Sequence, residues 1–179
     1  MLSAALFTAC KSGGSEESET SNAVAEEASA INFDLSKTTL TWTAFKTPEK
    51  IGVPGHFDDI QLDGNTFVIN ANSVNTNNPD RDAKLKQFFF GNLSDSLITG
   101  SYGVVTNGMM PVTLKMNGIE KTFDFAVAEA DSATVVTGTI DVISDFSGSK
   151  ALEGINNACK ELHQGKTWSD VTLQVIQMK

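Results

Sequence analysis

Strict alternation of apolar and polar residues constrains the fold of this chain more than any other feature. Around Trp42, apolar side chains occupy every second position and threonines lie between them. Period-two alternation with one polar face is typical of half-buried antiparallel strands. It predicts about eight strands, near residues 32–46, 52–62, 65–75, 97–107, 109–117, 120–130, 133–146 and 168–178.

Turn residues separate these runs. Asp63-Gly64-Asn65, Asn107-Gly108 and Asn117-Gly118 each link two of them, and Asn-Gly strongly favours a tight hairpin. About eight short antiparallel strands must bury one face and protect their edges, and closure into a barrel does both. An eight-stranded barrel has an interior wide enough for one ligand. A two-sheet sandwich satisfies the same alternation, so periodicity leaves both architectures open.

One polar segment ending in three phenylalanines interrupts the strands. Residues 75–90 read NTNNPDRDAKLKQFFF, which predicts a short helix over 79–90. Leu85, Phe88 and Phe89 follow the spacing i, i+3 and i+4, so they share one apolar face of that helix. A short helix with an apolar underside between strands predicts a lid or plug over the β-structure.

Two charged residues of that segment allow two interpretations. Asp82 either pairs locally or lies at the pocket edge, and Arg81 either ties the helix to a strand or faces a polar or anionic head group. The sequence leaves both open. A second helix is predicted over 149–165, and His163 at its end is expected to interact with the helix dipole rather than to carry function.

Composition and motifs argue against several classes of protein. The formal net charge is −9, from 13 Lys+Arg and 22 Asp+Glu, which disfavours a nucleic-acid partner. The sequence has no Gly-x-Ser-x-Gly elbow, no metal-ligand spacing and no phosphate-binding glycine loop. We therefore expect no enzymatic activity, no catalytic residues, no metal and no cofactor.

The first residues, MLSAALFTAC, resemble the end of a bacterial lipoprotein signal peptide. The resemblance implies that residues 1–10 end in a lipid-attached Cys10, with translation starting upstream of Met1 or the segment cut. Residues 11–30 are rich in Gly, Ser and Glu and predict a disordered acidic tether, before a folded domain over 31–179. The implied location is the bacterial cell envelope, anchored to a membrane on its periplasmic side or outer surface.

The folded part resembles the YceI-like proteins, which are lipocalin-like barrels associated with binding polyisoprenoids. The likeness spans residues 31–179 and rests on an ordered set of sequence blocks. They are Asn75-Thr76-Asn77 with Arg81-Asp82-x-x-Leu85 and Phe88-Phe89, the hairpin VTLKMNGIEK over 112–121, Gly55-His56-Phe57, and Asp145-Phe146. The chain departs from the family pattern at Lys84, where histidine is common, and at Ile143 or Ser144, where an arginine is often found. It also has an elaborated, partly helical connection over 149–168.

The resemblance implies an all-β, eight-stranded antiparallel lipocalin-like barrel with one or two short helices. It implies that a long-chain isoprenoid or similar apolar lipid is bound inside, for carriage or storage in the envelope. The alternative is a ligand-free structural or interaction module with a solid sandwich core. We expect Leu97 among the side chains that face the interior. The candidate ligand-binding residues are Trp42, Phe57, Phe67, Ile69, Arg81, Asp82, Leu85, Phe88, Phe89, Leu114, Phe123 and Phe125.

Overall fold

A computed structural model describes residues 28–179. The predicted lipid-attachment residue Cys10 and nearly all of the predicted tether lie outside the described residues. Ala28–Ser29 forms a short strand, β1, which pairs with Val105–Thr106. The last residues of the segment assigned to the tether therefore belong to the sheet.

The strands of residues 28–179 form one antiparallel sheet of twelve. The strands after β1 are β2 (Thr38–Lys46), β3 (Ile51–Phe57), β4 (Ile60–Asp63), β5 (Thr66–Asn70), β6 (Val74–Asn75), β7 (Leu97–Tyr102), β8 (Val105–Thr106), β9 (Met109–Met116), β10 (Ile119–Glu129), β11 (Ala133–Asp141) and β12 (Thr167–Met178). Each of the eight predicted strands is present, and three of them are split in two. The breaks separate β3 from β4, β5 from β6, and β7 from β8.

The sheet is curled into a half-barrel. Its strand order is β4-β5-β7-β9-β10-β11-β12-β2-β3-β6. Asp58 and Asp59 join β3 to β4, and a 3₁₀ turn, Ala71–Ser73, joins β5 to β6. Two backbone hydrogen bonds bridge the breaks, from Asp58 N–H to the Ser73 carbonyl (3.1 Å) and from Asn70 N–H to the Asp59 carbonyl (3.0 Å). The predicted all-β fold with short helices is confirmed, and the described strands do not form a two-sheet sandwich.

The predicted Asn-Gly hairpins are also confirmed. Asn107 and Gly108 have φ values of 54° and 74°, and Asn117 and Gly118 have 53° and 76°. Two successive positive φ angles define the tight turn that matches the twist of the flanking strands. The second turn joins β9 to β10 in the register that pairs Ile119 with Met116.

Two helices, α1 (Pro79–Lys84) and α2 (Ser149–Ala158), lie on the sheet together with a π-helical turn, Leu85–Phe89. The Asn78 side chain caps α1 by accepting the Arg81 N–H at 3.0 Å. The helix predicted over 79–90 is present, but only its first part is an α-helix, because the backbone changes to π and then 3₁₀ geometry after Lys84. None of the described helices is long and apolar enough to cross a bilayer.

Side chains pack solidly in one half of the barrel. The first core cluster consists of Tyr102, Val105, Met110, Val112, Leu114, Met116, Phe125, Val136, Ile140 and Phe146. A second, smaller cluster consists of Trp42, Ala71, Val74 and Phe90, and it lies under the π-helical turn. The inward position expected for Leu97 is wrong, because the side chain at this strand end is 43% exposed. The first core cluster thus fills one side of the barrel.

Candidate ligand-binding site

A pocket of about 470 Å³ occupies the half of the barrel that the first core cluster does not fill. Strands β2, β3 and β12 form one wall, and α1, the π-helical turn and α2 cover it. Most of its lining is aliphatic or aromatic. Ligand sites in proteins commonly enclose 300–1,000 Å³ and are largely apolar, so this pocket has the size and chemistry of such a site.

The register of β2 and β12 gives the pocket a direction. Trp42 pairs with Leu173, Ala44 with Val171, and Lys46 with Thr167, and all six residues line the pocket. Alternate residues of a strand share a face, and a strand rises about 3.3 Å per residue, so Trp42 and Lys46 lie about 13 Å apart. The wall changes along this distance from apolar at Trp42 to basic at Lys46.

Trp42 forms the apolar end of the pocket. Its cross-strand partner is Gly55, and a Cβ at Gly55 would lie 2.6 Å from the indole Cη2, so only glycine lets the ring lie flat on β3. Phe57, two residues farther along β3, has its ring centroid 6.3 Å from that of Trp42. The buried Trp42 Nε1–H has no hydrogen-bond partner among the described residues, so this wall also contains an unused donor.

The π-helical turn decides which phenylalanines cover the pocket. The Phe90 N–H bonds to the Leu85 carbonyl, the bond from i+5 to i that defines a π-turn, and it also bonds to the Lys86 carbonyl. Leu85, Phe89 and Phe90 therefore line the pocket, and Phe88 does not. The Phe89 and Phe90 rings pack edge to face with centroids 5.0 Å apart.

Four basic side chains lie at the other end of the pocket. We call Lys46, Arg81, Lys84 and His163 the basic rim; all four line the pocket and are half-buried. They come from three different parts of the fold: β2, α1 and the turn that follows α2. Asp80 is the one acidic residue among the described lining residues, and it is exposed.

His163 has a defined hydrogen-bonding pattern. The Thr167 hydroxyl donates to Asn156 Oδ1 at 2.8 Å, so its oxygen accepts the proton on His163 Nδ1 at 2.7 Å. Nε2 is then the unprotonated nitrogen of the neutral ring. Burial lowers the pKa of His163, and the charges of Lys46, Lys84 and Arg81 lower this pKa further. The basic rim is therefore compact enough for its members to act electrostatically on one another.

A sequence model of the YceI-like domain family matches residues 23–175. The chain belongs to the YceI-like family. A comparison with curated protein sequences finds no match. Solved structures with a similar fold are also found at low sequence identity. In three of them, this YceI-like chain matches most of the other protein's length.

The first is a polyisoprenoid-binding domain from Saccharophagus degradans, implicated in plant cell wall breakdown; it is 18% identical, with a TM-score of 0.58, and the match covers 79% of this chain and 92% of that domain. BcnA from Burkholderia cenocepacia is 12% identical, with a TM-score of 0.56, and the match covers 83% of this chain and 99% of BcnA. The YceI protein of Campylobacter jejuni is 21% identical, with a TM-score of 0.50, and the match covers 84% of this chain and 92% of that protein. These likenesses establish the fold.

Within this YceI-like fold, the structure brings together five of the twelve candidate residues. Trp42, Phe57, Arg81, Leu85 and Phe89 line the pocket. The other seven are Phe67, Ile69, Asp82, Phe88, Leu114, Phe123 and Phe125, and none of them lies in its lining.

Most of those seven residues belong to the packed half of the barrel. Leu114 and Phe125 are members of the first core cluster, and Phe67 and Phe123 pack against it. Ile69 is buried, with 4% of its surface exposed. Strand alternation placed them on the inner face, but it carries no information about which half of the interior is filled.

Asp82 and Phe88 have local roles. The Asp82 carboxylate accepts hydrogen bonds from the Thr76 N–H at 2.9 Å and from the Thr76 hydroxyl at 2.6 Å. This confirms the local pairing that was one of the two interpretations of Asp82. The Phe88 carbonyl accepts a hydrogen bond from the Asn92 amide at 2.7 Å.

Sequence reasoning missed Lys46, Lys84 and His163. The signal for Lys46 was present, because it follows Trp42 and Ala44 at period two on the inner face. His163 lies four residues after Cys159, another lining residue, and so continues the apolar side of α2 into the following turn. Among residues 28–179 no three His, Cys, Asp or Glu side chains are grouped so that they could hold a metal ion.

Proposed function

We propose that this protein binds a long-chain isoprenoid or similar apolar lipid in the pocket of its half-barrel and carries or stores it in the bacterial cell envelope. The observation that carries the proposal is the 470 Å³ pocket with its apolar wall and helical cover. Membership of the YceI-like family supports it, as does the fold shared with the polyisoprenoid-binding domain of Saccharophagus degradans.

The energetics favour a chain-like ligand. Moving a methylene-sized group from water into an apolar site gains about 0.8 kcal/mol, so ten such groups gain about 8 kcal/mol. That gain exceeds an ordering cost of several kcal/mol, even without a specific polar contact. A cavity of about 150 Å³ is enough for benzene, and this pocket is roughly three times larger.

The rival function is a ligand-free interaction module with a solid core. The first core cluster fits that description, because it fills half of the barrel with large side chains. The pocket in the other half does not fit it, since a module without a ligand gains nothing from an unfilled apolar interior.

Native mass spectrometry of the gently purified protein tests the binding proposal. We expect a non-covalent adduct that is released by organic solvent and that prenyl-chain probes replace. A ligand-free protein that also excludes those probes would favour the rival module.

We also propose that the protein is held at a membrane through acylated Cys10. A single acyl chain binds membranes weakly, whereas several chains on one cysteine anchor a protein stably. Cys10→Ala should move the protein from the membrane fraction into the soluble fraction, and the neighbouring control Ser12→Ala should not. Retention of the Cys10→Ala variant in the membrane fraction would refute the anchor.

A further inference from the structure

We propose that the basic rim binds the anionic head group, a phosphate or a carboxylate, of a single-chain amphiphile whose tail fills the apolar part of the pocket. This inference rests on the proposed function and adds to it the chemical class of the ligand. It differs from a purely hydrocarbon ligand, for which the polarity of the rim would be irrelevant.

Three independent elements show the same change from apolar to basic at the same end of the pocket. On β2, Trp42 and Ala44 are followed by Lys46. Leu85 of the π-helical turn is preceded by Lys84. Ile155 in α2 is followed, beyond the end of that helix, by His163. A single basic residue at a pocket mouth is common. Here three elements change from apolar to basic residues at the same end, which forms a site for a molecule with one apolar and one charged end.

Among residues 28–179, the rim cations have no ion-pair partner. The ion pairs of the described residues are Lys50–Asp170, His56–Asp58, Lys121–Asp145 and Lys179–Glu129, and none includes a rim residue. No hydrogen bond is formed by the charged ends of Lys46, Arg81 or Lys84 within residues 28–179. The chain as a whole has nine more acidic than basic residues (22 against 13), so acidic partners are plentiful elsewhere. Half-buried cations that have no partner in the described part of the chain favour an external anion, and phosphate and carboxylate oxygens form short, charge-assisted bonds to them.

His163 adds a fourth donor when an anion is present. Its Nδ1–H is committed to Thr167, which leaves Nε2 free to bind a proton. An anion beside the ring favours the protonated form and so turns Nε2 into a donor. The planar guanidinium group of Arg81 can donate two parallel hydrogen bonds to two oxygens of one head group.

A pair of ligands that differ only in the head group tests this inference. Farnesol and farnesyl monophosphate have the same chain, and we expect the phosphate to bind the full protein at least about tenfold more tightly in calorimetric titration. The same comparison between tetradecanol and myristate shows whether a carboxylate is accepted as well as a phosphate. Arg81→Gln/Lys84→Gln should reduce the ratio of phosphate to alcohol affinity to near one. The matched control Lys86→Gln/Lys150→Gln removes two exposed lysines from the π-helical turn and α2, the other two parts of the cover, and should keep the ratio.

Each outcome decides a different point. Equal affinity for farnesol and farnesyl phosphate in the wild-type protein would overturn the head-group site and leave the proposed lipid binding intact. A ratio that survives in Arg81→Gln/Lys84→Gln, or that falls equally in the control, would show that the rim is not where the anion binds. Failure of all four ligands to bind would overturn the proposed function together with this inference.

Discussion

The backbone of Gly154 in α2 lies directly against the Phe88 carbonyl of the π-helical turn. A Cβ at position 154 would overlap that oxygen and would lie 2.8 Å from the Asn92 amide nitrogen. The same amide nitrogen donates a hydrogen bond to the Phe88 carbonyl, so neither group can move aside without breaking that bond. Gly154 therefore lets α2 and the π-helical turn pack together as one cover over the pocket.

Gly154→Val should separate the two parts of this cover. The side chain has no space, and overpacking of this kind costs on the order of 1–3 kcal/mol. We expect a lower free energy of unfolding in denaturant titration and weaker binding of farnesol. Asn157→Val is the matched control, because it places the same β-branched side chain at an exposed position of α2. A Gly154→Val protein that binds and unfolds like the wild type would refute this description of the cover.

Ala44→Phe should close the pocket without unfolding the protein. Ala44 lies between Trp42 and Lys46 on the pocket wall, so a phenyl ring there occupies the volume that a lipid tail needs. Farnesol binding should be lost in calorimetry, and the free energy of unfolding should change by less than about 1.5 kcal/mol, because the ring fills existing space. Thr43→Phe, on the other face of β2, should leave binding in place. Undiminished binding to Ala44→Phe would locate the ligand elsewhere.

Binding of an anionic amphiphile should strengthen as the pH falls from about 8 to about 5.5, the range in which histidine titrates. In the free protein, burial and then Lys46, Lys84 and Arg81 lower the pKa of His163, so the ring is neutral over most of this range. A bound anion raises that pKa, and protons and ligand therefore bind cooperatively. The other charged groups facing the ring are the three rim cations and Asp80.

An alkyl sulfonate is the suitable ligand for the pH series, because its own charge does not change over this range. His163→Gln should bind the sulfonate with an affinity that is independent of pH. An affinity that is constant in the wild-type protein, or that falls at low pH, would contradict the role given to His163.

Local pattern predicted the strands and hairpins of this protein well, because both depend on neighbouring residues. Period two placed Trp42 and Phe57 on the inner face, and Asn-Gly fixed the turn at 117–118. Local pattern failed at Phe88, since the spacing of an α-helix puts Phe88 beside Leu85, whereas the π geometry puts Phe90 there. The turn also packs against Gly154 of α2, a tertiary contact that local spacing does not contain.

The division of the interior was also beyond the sequence. Phe125 and Trp42 have the same pattern of neighbours along their strands, yet Phe125 packs in the first core cluster and Trp42 lines the pocket. Which of them faces a filled interior depends on the side chains that arrive from across the barrel. The basic rim likewise joins residues more than a hundred positions apart, from Lys46 to His163, so only the fold shows that they are neighbours.

Quenching of Trp42 fluorescence tests most directly whether a lipid chain occupies the pocket. The chain has two tryptophans, so Trp168→Phe leaves Trp42 as the single reporter at the apolar end of the pocket. A fatty acid brominated in mid-chain should quench this emission in a saturable manner, and the unbrominated acid should compete. If the folded Trp168→Phe protein shows no quenching at concentrations of the brominated acid that saturate binding by calorimetry, the pocket is not the lipid site and the account is wrong.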